Sequence, residues 1–116
     1  MALSVSARNQ MLDALLQQAN MAVSLHTADP GASGANEVNG GSYARGGVAF
    51  SAASNGQSAN TTQVVWTDMP ACTVTHCGVW AGTTFLFGAA LSQSRTLAAG
   101  DGFFFRDGTI TVQVSA

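Results

Sequence analysis

The sequence predicts a mainly β protein, sandwich-like or jelly-roll-like, with about seven or eight short strands and one N-terminal helix. Three observations carry this. Runs of alternating or wholly apolar residues recur along the chain, turns rich in Gly, Asn and Asp separate them at roughly 8 to 12 residue intervals, and only residues 4–19 show a helical period. The 116 residues predict a single domain over 1–116, large enough to bury a core without a disulfide or a metal.

The helix comes first. Leu12, Leu15, Leu16 and Ala19 fall on one apolar stripe, with Arg8, Asp13 and Gln17 in other directions. Ser4 or Ser6 can cap its start, and Asn20 can adopt the left-handed conformation that ends it. So short a helix does not hold alone in water, so Leu12 and Leu16 must lie on the sheet or on a partner, and both are expected among the partner-binding residues.

Met21–Thr27 reads as a half-buried strand with Ala22, Ser24 and His26 on one face and Met21, Val23 and Leu25 on the other. Residues 28–42 form a long loop of the length that is functional or ordered against something else. Tyr43–Ala52 is expected as a strand in which Gly46 and Gly47 mark a bulge or a close approach of another backbone, residues 53–62 as a polar connection with a tight turn at Asn55-Gly56, and Gln63–Met69 as another strand.

Ala71–Ala81 is the expected central strand: Thr, Val and Trp dominate it, Pro70 precedes it and Gly82 breaks it. Neither of its faces is cleanly polar, so both should be covered. Thr84–Leu91 is apolar on both faces, and Ser92–Leu97 either extends it or bends away. Phe103–Phe105 places rings on both sides of a short strand, one side core and the other open to a subunit contact. In the last strand Ile110, Val112 and Val114 point in, and Thr109, Thr111, Gln113 and Ser115 point out.

Composition narrows the function. Charged residues make up 9% of the chain against about 25% in ordinary soluble domains, the net charge is −2, and the positive residues are Arg8, Arg45, Arg95 and Arg106 with no lysine. A surface so weakly charged suits an assembly subunit, and without a concentrated positive patch nucleic acid is not expected as a partner. No stretch approaches the roughly 20 apolar residues that span a bilayer, and no secretory leader is recognisable, so a membrane partner is not expected and a cytoplasmic origin is. Cys72 and Cys77 would sit roughly 16 Å apart on opposite faces of one strand and read as free core thiols.

Neither the cysteines with His26 and His76 nor the scattered carboxylates form a metal-ligand or acid-base pattern, so no cofactor, metal or enzymatic activity is expected. Tyr43 and Arg45 point to one face at the end of the long loop. They read either as a stack that pins the loop or as an anchor for a partner, and they join Leu12 and Leu16 as candidate partner-binding residues.

Taken together, His26-Thr27-Ala28-Asp29-Pro30, Gly41-Ser42-Tyr43-Ala44-Arg45, Val74-Thr75-His76-Cys77-Gly78-Val79-Trp80 and Leu97-Ala98-Ala99-Gly100-Asp101 closely resemble a family of small tailed-bacteriophage virion proteins, over nearly the whole chain. Members are commonly labelled tail fibre proteins; similar small, β-rich, lysine-poor proteins decorate or cement capsids as trimers. The resemblance implies a virion structural protein assembled in the host cytoplasm. The absence of any shaft and the weakly charged surface favour capsid decoration, with the major capsid protein as partner and a homotrimer bridging capsomer junctions. The alternative is a tail fibre or tail-tip component for host recognition, with Trp66 or Trp80 as saccharide-stacking candidates, though both more simply read as core.

Overall fold

A computed structural model of the protein describes residues 2–114. Helix α1 (Val5–Leu16) is followed by strands β1 (Met21–His26), β2 (Gly46–Gly47), β3 (Gln57–Ala59), β4 (Val64–Trp66), β5 (Cys72–Ala81), β6 (Thr84–Leu97), β7 (Phe103–Phe105) and β8 (Thr111–Gln113). They form an antiparallel sheet in the order β2-β1-β5-β6 and two ribbons, β3-β8 and β4-β7. The protein is therefore mainly β with one N-terminal helix.

Ser4 caps α1 by accepting the Ala7 amide at 3.0 Å. The helix stops at Leu16, three residues short of the expected end. Gln17 turns out of it and donates its side-chain amide to the Phe50 and Ser51 carbonyls at 2.9 and 3.0 Å. Asn20 does take the left-handed conformation, at φ 60, but in the turn into β1. Leu12 and Leu16 pack into the core with Val23, Leu25, Val64 and Ile110. Burying two leucines contributes about 3 to 6 kcal/mol, enough to hold a 12-residue helix that is marginal by itself.

β5 lies in the middle of the main sheet, as expected. It pairs with β1 from Met21↔Ala81 to His26↔His76 and with β6 through the Gly82-Thr83 turn, where Gly82 has φ 59. The faces of β1 follow the expected alternation, but both are covered rather than one. Val23 and Leu25 meet the core, and Ser24 and His26 lie beneath the 28–42 loop, all four buried. β6 runs on to Leu97 without bending away. Its partners on β5 jump from Val74↔Arg95 to His76↔Ala90, and such an irregularity resets the alternation of side chains. Cys72 and Cys77, expected on opposite faces, consequently both pack against the core cluster.

Two expected elements differ. Of Tyr43–Ala52 only Gly46–Gly47 forms a strand, on β1, while Phe50 turns to an isolated bridge with Asn60; Gly46 meets a close approach, of a side chain, since a Cβ there would lie 2.5 Å from Val64 Cγ1. The polar connection 53–62 contains β3, which has no apolar alternation to announce it and is ordered by pairing with β8, Gln57↔Gln113 to Ala59↔Thr111, and by bonds back to Ser51 and Ser54. The turn before it is as expected, with Asn55 at φ 53 and Gly56 at φ 72, the paired left-handed geometry of a two-residue hairpin. In the last segment Ile110 is buried and Thr111 and Gln113 are exposed; Ser115 lies outside the described residues.

Candidate functional site

Of the four candidate partner-binding residues, Leu12 and Leu16 are 1% and 2% exposed within the chain's own core, so they are closed to a partner. Tyr43 and Arg45 converge on Glu37 instead. Arg45 donates from Nε and Nη2 to the two carboxylate oxygens at 3.0 and 2.9 Å, and the Tyr43 hydroxyl donates to Oε2 at 2.7 Å. The same hydroxyl accepts the Leu25 amide of β1 at 3.0 Å, and the Arg45 guanidinium lies 3.4 Å from the centroid of the Trp80 ring. Burial pushes the Glu37 carboxyl up, but the bonds from Arg45 and Tyr43 outweigh it and hold the group below its ordinary value. Burial, reinforced by donation to Glu37, raises the Tyr43 phenol well above its usual range, and the bonds to Glu37 raise Arg45. This set ties the long loop to β1 and β5.

Beneath it runs a buried relay. The Trp80 indole N–H donates to Ser24 Oγ at 2.8 Å, Ser24 Oγ lies 2.6 Å from His26 Nε2, and His26 Nδ1 lies 2.7 Å from the Ala35 carbonyl. The carbonyl can only accept, so Nδ1 carries the proton and Nε2 accepts from Ser24. Every member is satisfied with His26 neutral. Burial lowers its pKa, against the raising effect of the Ala35 carbonyl. Gly78 makes room for this: a Cβ there would lie 2.6 Å from Ser24 Oγ and 2.9 Å from His26 Nε2. Sequence reasoning placed Ser24 and His26 on one face but did not connect them to Trp80, because Ala35 and Trp80 arrive from distant segments.

No group of three or more His, Cys, Asp or Glu side chains is placed to hold a metal among the described residues. Burial raises both thiols, Cys72 and Cys77, which favours their protonated form.

The feature open to solvent lies elsewhere. Among the described residues β6 pairs only with β5 and β7 only with β4, and a groove of about 920 Å³ runs between β6 and β7. Ala90, Gln93 and Arg95 line one wall, and Phe104, Arg106 and Thr109 line the other. Phe104 is 51% exposed, and its cross-strand neighbour Val65 is 54% exposed. No acidic side chain lines the groove, and the one salt bridge among the described residues is Arg45–Glu37, so Arg95 and Arg106 carry unpaired positive charge. Trp66 and Trp80 are 4% and 7% exposed, which is the core reading rather than the saccharide-stacking one. Sequence reasoning allowed the Phe103–Phe105 run a contact side but did not single out Arg95 and Arg106, which only the fold brings to one groove.

A family model described as Podophage GP4 fiber I protein gp80 matches residues 2–113. No curated protein matches the chain. A fiber-protein match over that span overturns the expectation of a capsid decoration or cement protein, and with it the major capsid protein as partner and the trimer bridging capsomers. The missing shaft and the weakly charged surface, which favoured the shell, describe a subunit that depends on an assembly without saying which one.

Proposed function

The chain belongs to the podophage GP4 fiber I protein gp80 family, and from that membership we propose that it is a tail-fibre component that takes part in host recognition. It is a structural virion protein rather than an enzyme, consistent with assembly in the host cytoplasm. Its partners on this reading are tail or baseplate proteins. No helix among the described residues is long and apolar enough to cross a membrane.

The match across residues 2–113 is the observation that carries the reading. The described residues extend 46 × 26 × 25 Å, so the chain acts as one β-rich module held by a larger tail structure, without itself forming a long shaft. A sandwich-like packing of the two ribbons over the main sheet would make that module rigid. The fit of Gly46 in β2 against Val64 and Trp66 in β4 supports this.

The test is the copy number of the protein relative to the major capsid protein in purified virions, by quantitative mass spectrometry, with antibody labelling in electron micrographs. A few copies per particle, labelled at the tail, are expected. A ratio near one with label over the shell overturns the proposal.

A further inference from the structure

We propose that the groove between β6 and β7 binds an acidic saccharide, Arg95 and Arg106 taking its carboxylate or phosphate groups and Phe104 the apolar face of a sugar ring. The inference rests on the host-recognition reading and gives it a ligand class.

The charge distribution leads to it. The chain has four arginines and no lysine. Arg45 is held by Glu37 and Trp80, and Arg8 lies against the Gly56 turn, where a Cβ on Gly56 would be 3.2 Å from its Nη1. The remaining two line one groove that has no acidic residue, in a protein whose net charge is −2. Guanidinium groups left without carboxylate partners present forked donors that fit carboxylate and phosphate oxygens.

The ring is the second part. Phe104 stands half exposed on a three-residue strand, and the Arg106 guanidinium lies over its ring at 6.0 Å from the centroid, too far for close stacking. Gln93 adds an amide that can donate to and accept from sugar hydroxyls, and Thr109, whose hydroxyl donates to the Arg106 carbonyl at 2.7 Å, adds an oxygen that can accept from them. An exposed ring flanked by cations and neutral hydrogen-bonding groups matches a ligand that is apolar on one face, hydroxylated at its edges and anionic at intervals.

The free edge of β6 would also suit an added peptide strand. A strand is held by backbone pairing, however, and its binding draws little on two unpaired guanidinium groups and an exposed ring. These are what the groove concentrates. Two arginines without a lysine are likewise too few for the extended phosphate tracking of nucleic acid.

Titration calorimetry on the purified full chain would use oligosaccharides of alginate, polygalacturonate and phosphomannan, with neutral dextran and a poly-glutamate peptide for comparison. Binding of at least one acidic saccharide, absent for dextran and weakening as salt rises from 50 to 500 mM, is expected. Arg95→Ala and Arg106→Ala should each weaken it about tenfold, and Phe104→Ala several-fold, with melting temperatures unchanged because all three side chains are exposed. The inference is overturned by no binding to any of the three, by full binding in the double arginine variant, or by poly-glutamate binding as tight and indifferent to Phe104→Ala. Because the assay uses the isolated chain, tail location without saccharide binding defeats this inference alone. Saccharide binding with shell stoichiometry defeats the tail reading.

Discussion

His26 is held in one tautomer by neighbours that cannot change places: a carbonyl that only accepts at Nδ1, and at Nε2 a hydroxyl whose oxygen already takes the Trp80 N–H. Protonating it would turn Nε2 into a donor and leave the Ser24 hydroxyl hydrogen without its acceptor. Burial lowers its pKa from the ordinary 6.5, and in spite of burial the bonds from Arg45 and Tyr43 lower that of Glu37 from 4.5. Both shifts are depressions, so the unfolded chain binds the protons first. The stability from His26 is present above pH 6.5 and is lost as pH falls through the folded value; that from Glu37 is present above pH 4.5 and is lost below it. A melting profile between pH 8 and 3 should therefore be flat at the top and fall in two stages, each unit of pKa depression corresponding to about 1.4 kcal/mol. His26→Gln should remove the upper stage and leave the lower. An unchanged upper stage would show that another group causes it.

Helix α1 shows at the scale of an element how far a pattern can be read. Its apolar stripe was legible because Leu12 and Leu16 recur at the helical period, and so was the Asn55-Gly56 turn, whose chemistry is local. What the polar side of the helix does was not legible. Asn9 accepts the Gly56 amide and Asp13 the Ala53 amide, each at 2.8 Å, so together with Gln17 a stripe at i, i+4 and i+8 fastens the 50–56 segment. These partners lie 40 and 47 residues away along the chain, beyond any periodicity. Asn9→Ala and Asp13→Ala should each destabilise by about 1 to 3 kcal/mol, since each strands a partly buried amide, with faster hydrogen exchange at Gly56 and Ala53 respectively. Exchange at wild-type rates there would refute the fastening role. The same distance in sequence hid β3, whose strand partner is the distant β8, and the groove, whose arginines lie on β6 and just beyond β7.

At the scale of the whole molecule one cluster draws on almost every element: Leu12 from α1, Leu25 from β1, Trp66 from β4, Val79 from β5 and Ile110 from the segment before β8. A cavity at its N-terminal end should therefore be felt at its C-terminal end. Leu12→Ala is expected to cost about 2 to 5 kcal/mol and to lower the melting temperature by more than about 10 °C, with circular dichroism and fluorescence still reporting one coincident transition. Separate transitions would mean that the helix melts by itself.

The two indoles have different neighbours. Trp66 donates to the Ala44 carbonyl and meets the rings of Phe103 and Phe105 edge-on, whereas Trp80 lies under Arg45 and the 28–42 loop. The chain thus carries two optical gauges. Lifting the loop wets one indole and shifts only its share of the emission, while loss of the fold shifts both, so opening and unfolding can be told apart in the unlabelled protein.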